Sequence, residues 1–312
     1  MAGIAEIIES RVICRQPGRY IGWPTVAKAP DGELFVVFSG DRDAHVDPFG
    51  KTCFMRSTDH GVSWSEAVVI TDTPLDDRDA GICVAPDGAL VVSWFTSHYD
   101  DYLGMQHYCA GEEARWREAL ARVREEDIER WTHADSGMSG GRRVGLWTRR
   151  SPDRGRTWEE PVPAHCSAPH GPITLSDGRM LFVGTSNFGR ARDSARLGVA
   201  QSLDGGRSWE LIASINALPQ CGGVGEGYCY LCEPHALEVA PGRILAMARW
   251  EQGGVPSAKR QPSMLWQFES ADGGHSWSEP RPTEIIGKPP HLTRLSDGRV
   301  LLTYGYRHPP YG

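Results

Sequence analysis

The stretch "STDHGVSW", Ser57 to Trp64, returns three times: "SPDRGRTW" from Ser151, "SLDGGRSW" from Ser202 and "SADGGHSW" from Ser270. The copies keep Ser, Asp, Gly, Ser or Thr and Trp in register while the other positions vary. A carboxylate two residues after a serine can accept backbone N–H bonds, the glycine admits positive φ, and the Trp offers a large apolar face. The phrase therefore reads as a turn used four times. Unequal spacing excludes a short solenoid and allows blade-sized units with loops of different length.

A second repeat gives the rest of the unit. "PDGELFVVFSG" from Pro30, "PDGALVVSWFTS" from Pro86, "SDGRMLFVGTS" from Ser176, "APGRILAMAR" from Ala240 and "SDGRVLLTYGYR" from Ser296 each follow a short apolar run. Each reads as strand, tight turn, strand. With strand C, the repeated phrase and a strand D such as "SEAVVI" from Ser65, the unit is a four-stranded antiparallel blade. Blades repeated around an axis make a β-propeller, in which neighbours protect each edge. The 36 glycines and 22 prolines fit such a chain of short strands.

The phrase resembles the Asp box of the sialidase superfamily, whose members are mostly six-bladed propellers with these boxes at the periphery. That resemblance implies one all-β domain over residues 1–312, with five blades visible and most of a sixth lacking. The segment 110–132, within "GEEARWREALARVREEDIERW", is rich in helix formers and predicts one helix inserted into blade two.

Net charge of −7 gives no basic footprint for nucleic acid or an anionic membrane. No signal peptide or membrane span is legible, so a cytoplasmic protein is expected. Eight cysteines in 312 residues make no dense disulfide framework, and most are expected as reduced thiols. Cys221, Cys229, Cys232 and His235 form a set of residue types that could bind zinc. Their irregular spacing favours buried thiols, and neither metal nor cofactor is expected.

Residues just before strand A and just after strand B share one end of the propeller. They include Arg19, Tyr20, Trp23, Arg78, Asp79, His170, Glu233, His235 and His291 on the first side. Asp41, Arg42, His45, Asp47, Arg249, Glu251 and Arg307 stand on the second. Carboxylates facing arginines and histidines suit an acidic sugar, because guanidinium forks bind carboxylates and a carboxyl of raised pKa protonates a leaving oxygen. "EPHALEVAPGRILAMAR" resembles the sialidase segment whose glutamate assists a nucleophilic tyrosine and whose arginine holds the substrate carboxylate. The resemblance implies those roles for Glu233 and Arg249, and the acid/base role for Asp47, with Asp41 and Asp43 as rivals. It departs at "GWP", where Gly22 stands in place of the first carboxylate-binding arginine. The reading is an exo-glycoside hydrolase with Asp47 and Glu233 as its catalytic pair. Arg42, His45, Arg78, Asp79, His170, His235, Arg249, His291 and Arg307 would hold the substrate. A lectin-like propeller and a uronate lyase are the alternatives, and a carbohydrate is the expected partner in each.

Overall fold

A computed structural model describes residues 7–98, 113–138, 142–187, 196–216, 228–253 and 260–307. Blade one contains β1 (Tyr20–Lys28), β2 (Leu34–Arg42), β3 (Lys51–Ser57) and β4 (Val68–Thr71), hydrogen-bonded in that order. Blade two contains β5 (Asp76–Val84) and β6 (Leu90–Ser97), then an insertion, then β7 (His133–Met138), β8 (Arg142–Ser151) and β9 (Val162–Pro163), with β7 and β9 both paired to β8. Blade three is β10 (Ile173–Thr174), β11 (Met180–Asn187), β12 (Arg196–Ser202) and β13 (Glu210–Asn216). Blade four is β14 (Tyr228–Ala240), β15 (Arg243–Gly253), β16 (Met264–Ser270) and β17 (Arg281–Ile286). The hairpin β18 (Pro290–Arg294) and β19 (Val300–Tyr304) starts a fifth unit. The five predicted hairpins are thus present. The described residues supply four complete blades where the resemblance implies six.

The insertion is two helices rather than one, α1 (Glu113–Leu120) and α2 (Glu125–Trp131). Each is too short to stand alone, so packing must hold it. Trp116, 1% exposed, lodges against Ala44 and Val46 of the loop after β2, with Phe49 and Leu120 alongside. The insertion therefore braces a blade-one loop. Among the described residues no helix is long and apolar enough to cross a membrane.

The cores lie between blades. Phe35, Val37 and Phe54 of blade one interdigitate with Ile82, Leu90, Val92 and Trp94 of blade two. Val91 and Phe95 of blade two meet Met180, Phe182 and Trp209 of blade three. Leu181, Val183 and Val199 of blade three meet Ile244, Ala246 and Phe268 of blade four.

The four repeated phrases link C to D strands and share one bonding pattern. In the third, Ser202 Oγ donates to Asp204 Oδ1 at 2.8 Å and accepts Gly206 N–H at 2.8 Å, while Asp204 accepts Ser208 N–H at 2.9 Å. The Ser57–Asp59–Ser63, Ser151–Asp153–Thr157 and Ser270–Asp272–Ser276 sets repeat it. Those bonds hold the carboxyls of Asp59, Asp153 and Asp272 down to about 2.

The same turns also fasten blade to blade. Gly155, Gly206 and Gly274 all have positive φ. A Cβ on them would stand 2.4 Å from Phe54, 2.7 Å from Val91 and 2.9 Å from Leu181, each in the preceding blade. Arg154 Nη1 donates to Glu33 at 2.7 Å, and Arg150 Nε to the Gly205 carbonyl at 3.1 Å, bridging the same seams. Trp209 Nε1 donates to Thr148 Oγ1 of blade two at 2.8 Å.

This docking predicts unequal costs for one substitution. Gly88 also has positive φ but open space around its Cα. Gly88→Ala should cost about 1–2 kcal/mol through backbone strain alone. Gly206→Ala should cost about 1–3 kcal/mol more from overpacking on Val91. Thermal melts of the two variants measure the difference.

Candidate functional site

The first strands of successive blades pack on one another around the axis, as β1 does on β5 and β14 on β18. Three carry the same irregularity. Pairing jumps between Gly22 and Thr25, Arg78 and Gly81, and Cys232 and His235. Inside each jump one non-glycine residue takes positive φ: Trp23 at 54°, Asp79 at 55° and Glu233 at 49°. Such conformations cost about 1–3 kcal/mol each and persist only where the surroundings impose them. A bulge re-aims side chains that regular alternation would send elsewhere.

On the blade-two side, Arg78 lies over the Trp23 ring at 4.6 Å, and its Nε stands 3.5 Å from Asp79 Oδ1. Asp79 N–H donates to Ser39 Oγ at 3.0 Å, which ties the bulge to blade one. Burial raises the Asp79 carboxyl above the usual range; Arg78 opposes this and the negative charge of Glu233 adds to it. The two carboxyls therefore feel one another.

On the blade-four side, Arg249 Nη1 lies 2.8 and 2.7 Å from the two Glu233 oxygens, and its Nε donates to Glu251 at 2.6 Å. Behind it, Lys288 Nζ and Ser263 Oγ donate to Glu251 at 2.6 and 2.9 Å. Against the opposing effect of burial, Arg249 and Lys288 hold the Glu251 carboxyl low. Glu233 and Glu251 likewise hold the Arg249 proton firmly against burial.

On the blade-one side, Tyr20 Oη lies 3.1 Å from His45 Nδ1, and both rings pack against Trp23. Burial and then Arg78, Arg42 and Arg307 depress His45 to about 4, so its imidazole is neutral at neutral pH. Where the family's arginine would stand, Gly22 leaves room that the Tyr20 ring occupies, since a Cβ there would lie 3.0 Å from Tyr20 Cε1.

Other expected site residues are engaged with neighbours of their own. Arg42 is wholly buried, with Nη1 and Nη2 donating to Asp76 at 2.6 and 3.0 Å, so it bridges blades one and two. Asp47 is 2% exposed. Its carboxylate accepts the Asp43 and Phe49 N–H groups at 2.5 and 2.8 Å, so it shapes its loop. Asp41 and Asp43, the rivals, pair with Arg19. Asp77, also buried, serves the Thr73 turn and the Trp94 indole.

The three histidines meet, but face one another rather than Asp79 and Glu233. His235 and His291 stack at 4.1 Å and 15°, and His170 stands edge-on at 5.4 and 4.9 Å. His235 is 5% exposed. Arg307 is exposed and close enough to act on His45. Among the described residues no three His, Cys, Asp or Glu side chains converge on a metal position. Cys221 lies outside them, Cys229 is disulfide-bonded, and five cysteines are free thiols. Lys288 was missed as a participant. Its place directly before a first strand was the available signal.

A family model described as a BNR repeat-like domain matches residues 128–311, more than half of the chain, and the chain belongs to that family. No curated protein matches. Among solved structures, a Dyadobacter fermentans protein of unknown function is similar over 96% of this chain and 79% of its own, at 22% identity and a TM-score of 0.72. The Hadza microbial sialidase Hz136 is similar over 90% of this chain and 52% of its own, at 18% identity and 0.59. The NanB sialidase of Streptococcus pneumoniae is similar over 94% and 58%, at 13% identity and 0.60. The chain thus spans little more than half the length of these sialidases, and at such identities the likeness shows the fold.

Two stability tests follow from the geometry. Arg42→Met removes the guanidinium that binds both oxygens of buried Asp76, leaving Arg78 at 3.9 Å, and should cost about 3–5 kcal/mol, read by denaturant titration. Asp79 behaves in the opposite sense. Its folded-state pKa is raised, so its contribution is most favourable below the unfolded value and declines as pH rises through it. Asp79→Asn should therefore be more stable than the parent at neutral pH by about 0.5–2 kcal/mol, with the gap closing below about pH 4. Melts at the two pH values check this.

Proposed function

We propose that the protein is an exo-acting glycoside hydrolase for a terminal acidic sugar, with Asp79 as the proton donor. The observation that carries the reading is the Asp79 carboxyl itself. It is mostly buried, raised in pKa, held in a strained backbone conformation beside Arg78 and in the field of a second carboxylate. An acid catalyst needs a carboxyl kept in this state.

In this reading Arg78, Arg249 and Arg307 receive the substrate carboxylate, and Trp23 offers the ring a flat face. Neutral Asp79 gives its proton to the glycosidic oxygen as the bond to the anomeric carbon breaks. Glu233, paired with Arg249, stabilises the positive charge developing on the sugar. The Glu251–Lys288–Ser263 set holds Arg249 in place. Asp79, then a carboxylate, takes a proton from the water that completes hydrolysis.

The Tyr20–His45 pair favours a second reading, elimination on a uronate. There the pair takes the C5 proton, the C4–O bond breaks, and the leaving oxygen is protonated by Tyr20.

A panel of terminal sialosides, uronides and neutral glycosides, followed by reducing ends and by unsaturated products, tests both. Reducing ends without unsaturation are expected. Asp79→Asn should lower kcat by about 10²–10⁴-fold and leave KM little changed. Unsaturated product lost in Tyr20→Phe establishes the elimination, and binding without turnover overturns both readings.

A further inference from the structure

The histidine cluster is used by neither reading, yet its construction is specific. His170 lies three residues before β10, His235 in β14 and His291 in β18, so three successive units each contribute one imidazole. The turn bearing His170 is wedged at the axis. Thr25 Oγ1 of β1 donates to the Pro169 carbonyl at 2.7 Å, and Gly81 of β5 approaches so closely that a Cβ would lie 2.1 Å from Gly171 N. His235 Nδ1 accepts the Leu292 N–H at 2.9 Å, a bond that joins blade four to the β18–β19 hairpin. His170 Nε2 is buried without a hydrogen-bond partner.

We propose that His170, His235 and His291 form an acid-sensitive latch that holds the β18–β19 hairpin on blade four while neutral and releases it when protonated. The regulatory consequence, loosening of the strand that carries Glu233, rests on the function proposed above. The latch itself does not.

The chemistry is local and has a definite sign. A proton on His235 Nδ1 removes the acceptor for Leu292 N–H, and a proton on any ring places a charge in a stack with no counter-charge. Of the elements around the cluster, β1 contributes Thr25 and β5 contributes Gly81, neither of which titrates. β14 contributes His235, with Glu233 two residues before it, and β18 contributes His291; β15, paired with β14, carries Arg249, which is bound to Glu233. The charges acting on the cluster are its own. Burial and this mutual repulsion depress His170 to about 3 and His235 well below its ordinary value, and burial lowers His291. The unfolded or opened form therefore binds protons that the closed form refuses. Closure is strongest above the ordinary histidine value and weakens as pH falls through it.

Amide hydrogen exchange on the full chain at about pH 7 and about pH 5, corrected for intrinsic rates, reads the latch without any substrate. Protection of the β14 and β18 amides, Leu292 included, should fall about tenfold at the lower pH, while β2 and β3 stay unchanged. His291→Gln should abolish most of that fall, and exposed His275→Gln should leave it intact. His170→Asn serves the same purpose and guards against a folding defect in His291→Gln. A loss spread evenly over all blades, or one that persists in both cluster variants, overturns the latch. If both variants fail to fold, the regional pattern in the parent protein decides. Absence of turnover on every glycoside would remove the functional reading and leave this result standing.

Discussion

The approach of a backbone turn in one blade to a hydrophobic side chain in the blade before it is the contact on which the fold depends. Gly155 lies against Phe54, Gly206 against Val91 and Gly274 against Leu181, each with no room for a methyl group. That approach requires the glycine to hold positive φ, and the Ser–Asp pair to bind the turn's N–H groups so that none is buried unsatisfied. Because every inter-blade core begins at such a seam, the angle between blades is set there. The angle in turn determines which first-strand residues meet at the axis.

What meets there is shaped by departures from regular strand geometry. The pairing jumps in β1, β5 and β14 recur at one level and present Trp23, Asp79 and Glu233. The strain is offset by stability gained at the seams, a division of labour common in sites whose groups must be held before a ligand arrives. The Arg42–Asp76 bridge contributes in the same way. Buried and bidentate, it fixes the start of β5 two residues before Arg78 and joins the braced loop of blade one to the site.

The electrostatics divide the axial end into unlike parts. Glu233, Arg249, Glu251 and Lys288 form an alternating ionic row in which each charge stabilises the next. Asp79 stands apart from this row, in surroundings whose burial raises its carboxyl, as burial also raises Asp47 and Asp77 in their loops. On the blade-one side, the arginine expected from the resemblance is absent and a phenol–imidazole pair fills the space.

Much of this was legible in the chain of residues. The repeated phrase determined the turns, the paired apolar runs determined the hairpins, and their spacing placed Arg78, Asp79, Glu233 and Arg249 at one end, because such patterns are local and periodic. The roles of Asp47 and Arg42 were not legible. Both are the right residue types in the right loop, but only the folded chain shows their polar atoms consumed by neighbours distant in sequence or folded back upon them. The bulges, the substitution of Tyr20 for a missing cation, and the meeting of His170, His235 and His291 also belong to tertiary structure. Local sequence determines which way a strand runs and where it turns; which buried groups lose their water, and which charges they meet instead, depends on segments brought together only when the blades close on the axis.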